Sequence, residues 1–251
     1  MNNKWLVSLA LISPMCLAQT LELDTQGLSQ FKIEAGSGEL QVRGEAGLTS
    51  IKVEAKARYQ SGKELEPENY QLTLEAEKDD AILMAHTNPR IHDAYIDVTV
   101  RMPANLLLDI KDGSGDMDVS GINALLNIQD GSGDMRVSRI NGEVYITDGS
   151  GDLSLTEVKG PVRAQDASGK VHMADIQGDI HLVDASGDIW VQKIQGDLTL
   201  FDSSGDIEVQ DVSGLVEVED SSGDIRVDGA QRFLLLRDGS GDVDLRNIRE
   251  Q

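Results

Sequence analysis

The chain has 251 residues, of which 44 are acidic and 22 basic, giving a net charge of −22 and a sequence pI near 4.4. So large an acidic excess disfavours nucleic acid and anionic membrane surfaces as partners and favours cations or basic surfaces. Aromatic residues make up only 4% and glycines number 25, which points away from a core of large side chains and toward a repetitive β architecture.

The first segment reads MNNKWLVSLALISPMCLAQT. Lys4 supplies a basic start, and residues 5–12 form an apolar run too short to span a bilayer. Cys16-Leu17-Ala18 offers small residues where a signal peptidase reads, so residues 1–18 are expected to be an export signal cleaved after Ala18. Lipidation of Cys16 is the rival reading, and Met15 fits poorly before a lipidated cysteine. Cys16 is the only cysteine, so the mature chain is expected to lack disulfides, thiol catalysis and thiolate metal sites. It is also expected to have no transmembrane segment.

Residues 19–105 alternate irregularly. FKIEAGSGELQVRG (residues 31–44) carries Ser37-Gly38-Glu39 and reads as an early, diverged copy of a unit that recurs later. SIKVEAKARY, YQLTLEAEKDD and YIDVTVRMPANLLLDIKDGSGD read as strands, with residues 61–69 and 86–92 as loops. This part is expected to form irregular β coils that cap a stack, because an open sheet edge needs cover.

From Asp112 the pattern becomes strict. Ser-Gly recurs at Ser114, Ser132, Ser150, Ser168, Ser186, Ser204, Ser222 and Ser240, always 18 residues apart. An aspartate stands two residues before each serine, and an aspartate follows each glycine except at Lys170. In the copy at Ser186 the apolar positions are Ile189, Val191, Ile194, Leu198 and Leu200, the period-2 signature of strands with one buried face. Inward columns follow: Met117 through Val243, Leu126 through Leu234, and Ile122 through Ala230, rich in β-branched residues. Residues 106–251 are therefore predicted to form an all-β, flattened parallel β-solenoid of 18-residue coils with two short strands per coil. The spacing fits half-repeats of nine rather than six, which excludes the hexapeptide helix. The corner DGSGDMDV differs in phase from the nonapeptide calcium motif.

Alternating strands, the phrase YIDVTVRMPANLLLDIKDGSGDMDV and the tandem Ser-Gly-Asp units resemble the bacterial exported β-strand-repeat family labelled "putative adhesin". The resemblance covers nearly all of the mature chain. It implies an exported envelope protein, periplasmic, secreted or at the cell surface, and brings no catalytic residues with it.

The corner aspartates, Asp184, Asp188, Asp202, Asp206, Asp220 and Asp224 among them, have two readings. In the first, Asp184 and its equivalents accept a backbone N–H two residues on while Gly187 makes the corner. In the second, carboxylates stacked ~4.8 Å apart repel by about 0.9 kcal/mol per pair in water and recruit Ca²⁺. Lys170, which replaces the second aspartate without breaking the repeat, favours the first reading, since it can sit between Asp152 and Asp188 and neutralise them. Eight equivalent serines argue against a unique nucleophile, and His172, the histidine nearest Ser168, points outward. His172 and Trp190 share an outward column, His181 lies on the other strand, and His86 and His92 flank a loop. Trp190, Phe201, Leu215, Phe233 and Leu235, with Val183, are outward apolar residues that could mark a partner surface. Three functions follow: a non-catalytic structural or interaction module binding a protein or envelope component, a calcium-dependent scaffold, or a polysaccharide-acting β-helix enzyme.

Overall fold

A computed structural model describes residues 18–250; the expected export signal and Cys16 lie outside the described residues, apart from Ala18. The chain folds as a parallel β-solenoid of about eight turns with about 18 residues per coil. It divides into two compact units between Ala124 and Leu125.

The first unit holds β1 (Gln19–Asp24), β2 (Gln30–Ala35), β3 (Leu40–Glu45), β4 (Ser50–Tyr59), β5 (Tyr70–Glu77), β6 (Asp80–Thr87), β7 (Ala94–Pro103), β8 (Leu107–Asp112) and β9 (Met117–Ser120). Two ladders run through it. One has the order β1-β4-β7-β3-β9, antiparallel at β1–β4 and β4–β7 and parallel thereafter. The other runs β5-β6-β2-β8, antiparallel only at β5–β6. The early copy at residues 31–44 is thus not an outer coil. Its two strands are threaded between β6–β7 on one side and β8–β9 on the other, with Ser37 bridged to Ser114. Phe31, Ile33, Leu40 and Val42 are buried as a result. The 86–92 stretch is also less of a loop than its sequence suggests, because β6 continues through His86 to Thr87.

The second unit holds β10 (Leu126–Asp130), β11 (Met135–Asn141), β12 (Val144–Asp148), β13 (Leu153–Lys159), β14 (Val162–Asp166), β15 (Val171–Gln177) and β16 (Ile180–Asp184). After these come β17 (Ile189–Ile194), β18 (Leu198–Asp202), β19 (Ile207–Asp220), β20 (Ile225–Asp238) and β21 (Val243–Glu250). Odd-numbered strands from β11 to β19 pair in parallel with the strand one coil away, and even-numbered strands do the same. Ile189, Val191 and Ile194 from one strand face Leu198 and Leu200 from the next, all buried. Burial of one such aliphatic side chain is worth roughly 1.5–3 kcal/mol, so the repeated columns carry the stability.

Each coil also contains a kink that no shared residue type announces. Arg139, Glu157, Asp175, Lys193, Asp211 and Asn247 all have φ between 53 and 56°, and Gly229 occupies the same place at 84°. The ladder skips this residue: Thr156 and Val158 pair with the next coil, and Glu157 does not. A left-handed non-glycine residue costs about 1–2 kcal/mol, of which glycine's greater unfolded-chain entropy recovers only part. Glu157→Gly is therefore expected to raise stability by about 0.5–1 kcal/mol in urea denaturation, and an unchanged or lower midpoint would contradict the strain.

One register differs from expectation. Between β19 and β20 the pairing slips, so that Val216 faces Phe233, Glu217 faces Leu234 and Val218 faces Leu235. Phe233 and Leu235 therefore stand in register with the buried Val216 and Val218, Phe233 half-buried and Leu235 still 37% exposed, and Leu234, expected inward, pairs with Glu217 and is exposed. The run Phe-Leu-Leu-Leu has no alternation of its own, so its phase is set by the pairing with β19.

Candidate functional site

The repeated Asp-x-Ser-Gly-Asp corner is the first place to look for chemistry, and its parts separate by position. Glycine comes first. Gly187 has φ +143°, and a Cβ on it would lie 1.5 Å from the carbonyl oxygen of Gly169 one coil away. The corner backbones of successive coils are in contact there, and only hydrogen fits between them.

The second aspartate is a staple. Asp188 Oδ1 accepts the backbone N–H of Asp206 at 3.3 Å, Asp206 that of Asp224 at 3.0 Å, and Asp224 that of Asp242 at 3.0 Å. The same device works at the other corner, where Asp179 accepts from Asp197 at 2.9 Å and Asp197 from Leu215 at 2.8 Å. Each carboxylate stands in for a carbonyl that the turning backbone cannot aim at its neighbour. Lys170 accepts no such bond. Its own N–H is held by Asp152 Oδ1 at 3.0 Å, but it has no carboxylate to offer Asp188, so the staple is interrupted there.

The first aspartate is buried, which the sequence reading did not anticipate. Asp130, Asp148, Asp166, Asp184, Asp202 and Asp220 are each at most 7% exposed. The signal was present: Asp184 continues the inward alternation Ile180-x-Leu182. Its Oδ1 accepts the Ser186 N–H at 3.3 Å, and the equivalent turn recurs at Asp148, Asp166, Asp202 and Asp220. Oδ2 in this column is shut from water and has no hydrogen-bond partner. Burial, helped by the neighbouring Asp166 and Asp202 charges, pushes the Asp184 carboxyl up to about 7. Burial likewise raises Asp130, Asp166 and Asp202 to about 6.

These positions bear directly on the calcium reading. Ca²⁺ takes six to eight oxygens, including water. Each first aspartate from Asp130 to Asp220 offers one dry Oδ2, and the Oδ1 atoms of Asp188, Asp206 and Asp224 are committed to N–H groups, which leaves their Oδ2 atoms. Among the described residues no three acidic or histidine side chains converge as a metal cluster.

Two of the repeated serines are tied to the preceding coil. Ser186 Oγ donates to the Ala167 carbonyl at 3.3 Å, and Ser168 Oγ to that of Gly149 at 3.5 Å. The Toastrack DUF4097 family model matches residues 28–225, which includes this corner from Ser37 to Ser222. The chain belongs to the Toastrack DUF4097 family. No curated protein matches it. The Toastrack chain is similar to a solved "putative adhesin" from Parabacteroides merdae at 12% identity, with 91% of this chain and 95% of that one covered and a TM-score of 0.43. A "putative adhesin" from Bacteroides fragilis is 16% identical over 92% and 97% of the two chains, with a TM-score of 0.40. A "putative cell adhesion protein" from Clostridium sporogenes is 12% identical over 91% and 98%, with a TM-score of 0.29.

The outward residues of the Toastrack chain do not form the single apolar strip expected of them. Val183 and Phe201 are neighbours in register, and Phe201 packs edge-on against His181 at 5.5 Å between centroids. Leu215 stands at the corner instead, its N–H on Asp197. Phe233 and Leu235 stand in register with Val216 and Val218, Phe233 half-buried and Leu235 exposed. Trp190 sits on β17, in the other ladder, next in register to His172. His172 is engaged with Gln192 at 3.3 Å, and the indole N–H of Trp190 donates to Glu208 at 3.0 Å. The Lys170 ammonium, expected between Asp152 and Asp188, lies instead over the Trp190 ring, 5.8 Å from its centroid. His86 is half-buried in β6 and His92 is exposed. Among the described residues no helix is long and apolar enough to cross a membrane.

Proposed function

We propose that this Toastrack chain is an exported, non-catalytic interaction module of the cell envelope, adhesin-like in character, whose partner is a protein or envelope polymer. The observation that carries this reading is the structural employment of the repeated glycine and second aspartate and of the Ser168 and Ser186 hydroxyls. A nucleophilic serine needs a base and an oxyanion pocket at one place, whereas Ser168 and Ser186 are tied to the carbonyls of the preceding coil. Residues 112–242 contain no insertion in eight copies, so no loops rise from these coils to build a cleft. Export rests on the leader-like first 18 residues, and the charge of −22 argues against nucleic acid.

The test has two arms. Pure protein incubated with pectin, chitin and peptidoglycan is expected to release no new reducing ends or soluble fragments. A photo-crosslinking residue at Phe201, in cells of the source organism, is expected to trap an envelope component. Turnover of any of these polymers would overturn the non-catalytic reading in favour of a β-helix enzyme.

A further inference from the structure

Five of the six large apolar side chains left exposed among the described residues lie in the last two strands: Leu234, Leu235, Leu236, Val243 and Leu245. Two of them are core positions without a core. Val243 and Leu245 stand in register with Ile225 and Val227, which are 1% and 0% exposed, yet they are themselves 38% and 43% exposed. Among the described strands β21 pairs only with β20, so the N–H and C=O groups along its other side are open.

Sheets usually guard such an edge with lysine or proline. Residues 226–250 hold neither. They carry five arginines against five acidic residues, whereas residues 112–225 carry 23 acidic residues against six basic ones. Interfaces favour arginine over lysine, and a neutral end on a chain of net charge −22 is where two copies repel least.

The outward charges say what fits the edge. Arg226 lies beside Asp244, with 3.8 Å between charged atoms, and Asp228 beside Arg246, so the sign alternates from β20 to β21. A further strand continues this alternation if it sets a cation beside Asp244 and an anion beside Arg246. β21 itself does so when reversed. With Leu245 opposite Leu245 in an antiparallel pair, Asp244 of each copy faces Arg246 of the other, and the inward leucines meet. Arg246 already reaches Asp244 within its own strand at 2.6 Å, so the four side chains form one network.

We propose that the open end of the last coil is an interface for a second copy of this chain, joined by antiparallel pairing of β21 about a twofold axis at Leu245. Such an interface is isologous and closes at two copies. The end of one coil, with faces about 17 Å long and about 10 Å apart, covers roughly 400 Å² per copy once side chains are included. That is the low end of specific interfaces, so the dimer is expected to be half-formed at about 10–100 µM. This self-association goes beyond the interaction module proposed above and does not depend on it.

Sedimentation equilibrium of the purified chain between about 2 and 300 µM makes the test. The parent is expected to pass from monomer to dimer. Leu245→Lys puts on the edge the residue that guards other edges, and is expected to stay monomeric. Because that variant also loses packing on Val227, a second pair of variants keeps the leucine. Asp244→Arg and Arg246→Asp each set like charges across the axis twice, and each alone is expected to associate about tenfold more weakly. Mixed in equal amounts, they set opposite charges at both places, and the mixture is expected to recover the parent's dimer. A change in the fold of either variant would not be repaired by mixing. The proposal is overturned if the parent stays monomeric throughout or grows beyond a dimer. It is equally overturned if Leu245→Lys dimerises like the parent, or if the mixture associates no better than its parts.

Discussion

Gly187→Ala is expected to destabilise the protein by about 4 kcal/mol or more, the range reserved for core and backbone disruption. Two effects act together. The φ of +143° is one that a residue with a Cβ adopts only under strain, and the new methyl would lie 1.5 Å from the Gly169 carbonyl oxygen. Relief requires the two coils to separate by more than an ångström, which breaks the bonds from Gly169 N–H to Ser186 O at 3.1 Å and from Val171 N–H to Asp188 O at 3.0 Å. Because stacked coils are stabilised chiefly through their neighbours, the damage spreads along the column. Ser186→Ala is the control. It removes one exposed hydroxyl bond of 3.3 Å and should cost under about 1 kcal/mol. Urea midpoints for both variants make the check. A Gly187→Ala midpoint close to that of Ser186→Ala would show that the corners are not in contact as described.

The corner shows why some of this was legible in the sequence and some was not. Coil length, inward columns and the Asx turn follow from local rules: fixed spacing, period-2 alternation, and an aspartate two residues before a free N–H. The placement of β2 and β3 does not. Their sequence marks them as a copy of the unit, but which strands they lie between depends on pairing across 50 to 58 residues. The left-handed kink escaped because Arg, Glu, Asp, Lys and Asn all occupy it. The slip at Phe233 escaped because four consecutive apolar residues carry no phase. Of the candidate site, Lys170 and Trp190 stood out as departures from the repeat, but that they meet could not be read from their spacing of 20. A side chain at the corner reaches the outward column of the next coil only because the corner turns toward that face.

The buried aspartate column gives the second large effect, and its sign is opposite to that of most proteins. The folded-state pKa of Asp184 is raised from 3.8 to about 7, and those of Asp130, Asp166 and Asp202 to about 6. Between roughly pH 4 and 7 the folded chain therefore holds more protons than the unfolded chain. Stability contributed by these groups is fully present below about pH 4 and is lost as pH rises through their folded values. At about 1.4 kcal/mol per pKa unit, and allowing for the coupling of stacked neighbours, the loss is on the order of 5 kcal/mol by pH 8. Urea denaturation is accordingly expected to give a higher midpoint at pH 4.5 than at pH 8. Asp184→Asn isolates the cause. The amide keeps the oxygen that accepts the Ser186 N–H and presents N–H donors to the unpartnered Oδ2 atoms of Asp166 and Asp202. It should stabilise the protein by about 2–4 kcal/mol at pH 8 and leave it nearly unchanged at pH 4.5, where the native carboxyl is already protonated. If Asp184→Asn is destabilising to the same extent at both pH values, the carboxyl is ionised in the folded protein and something other than a proton neutralises the column.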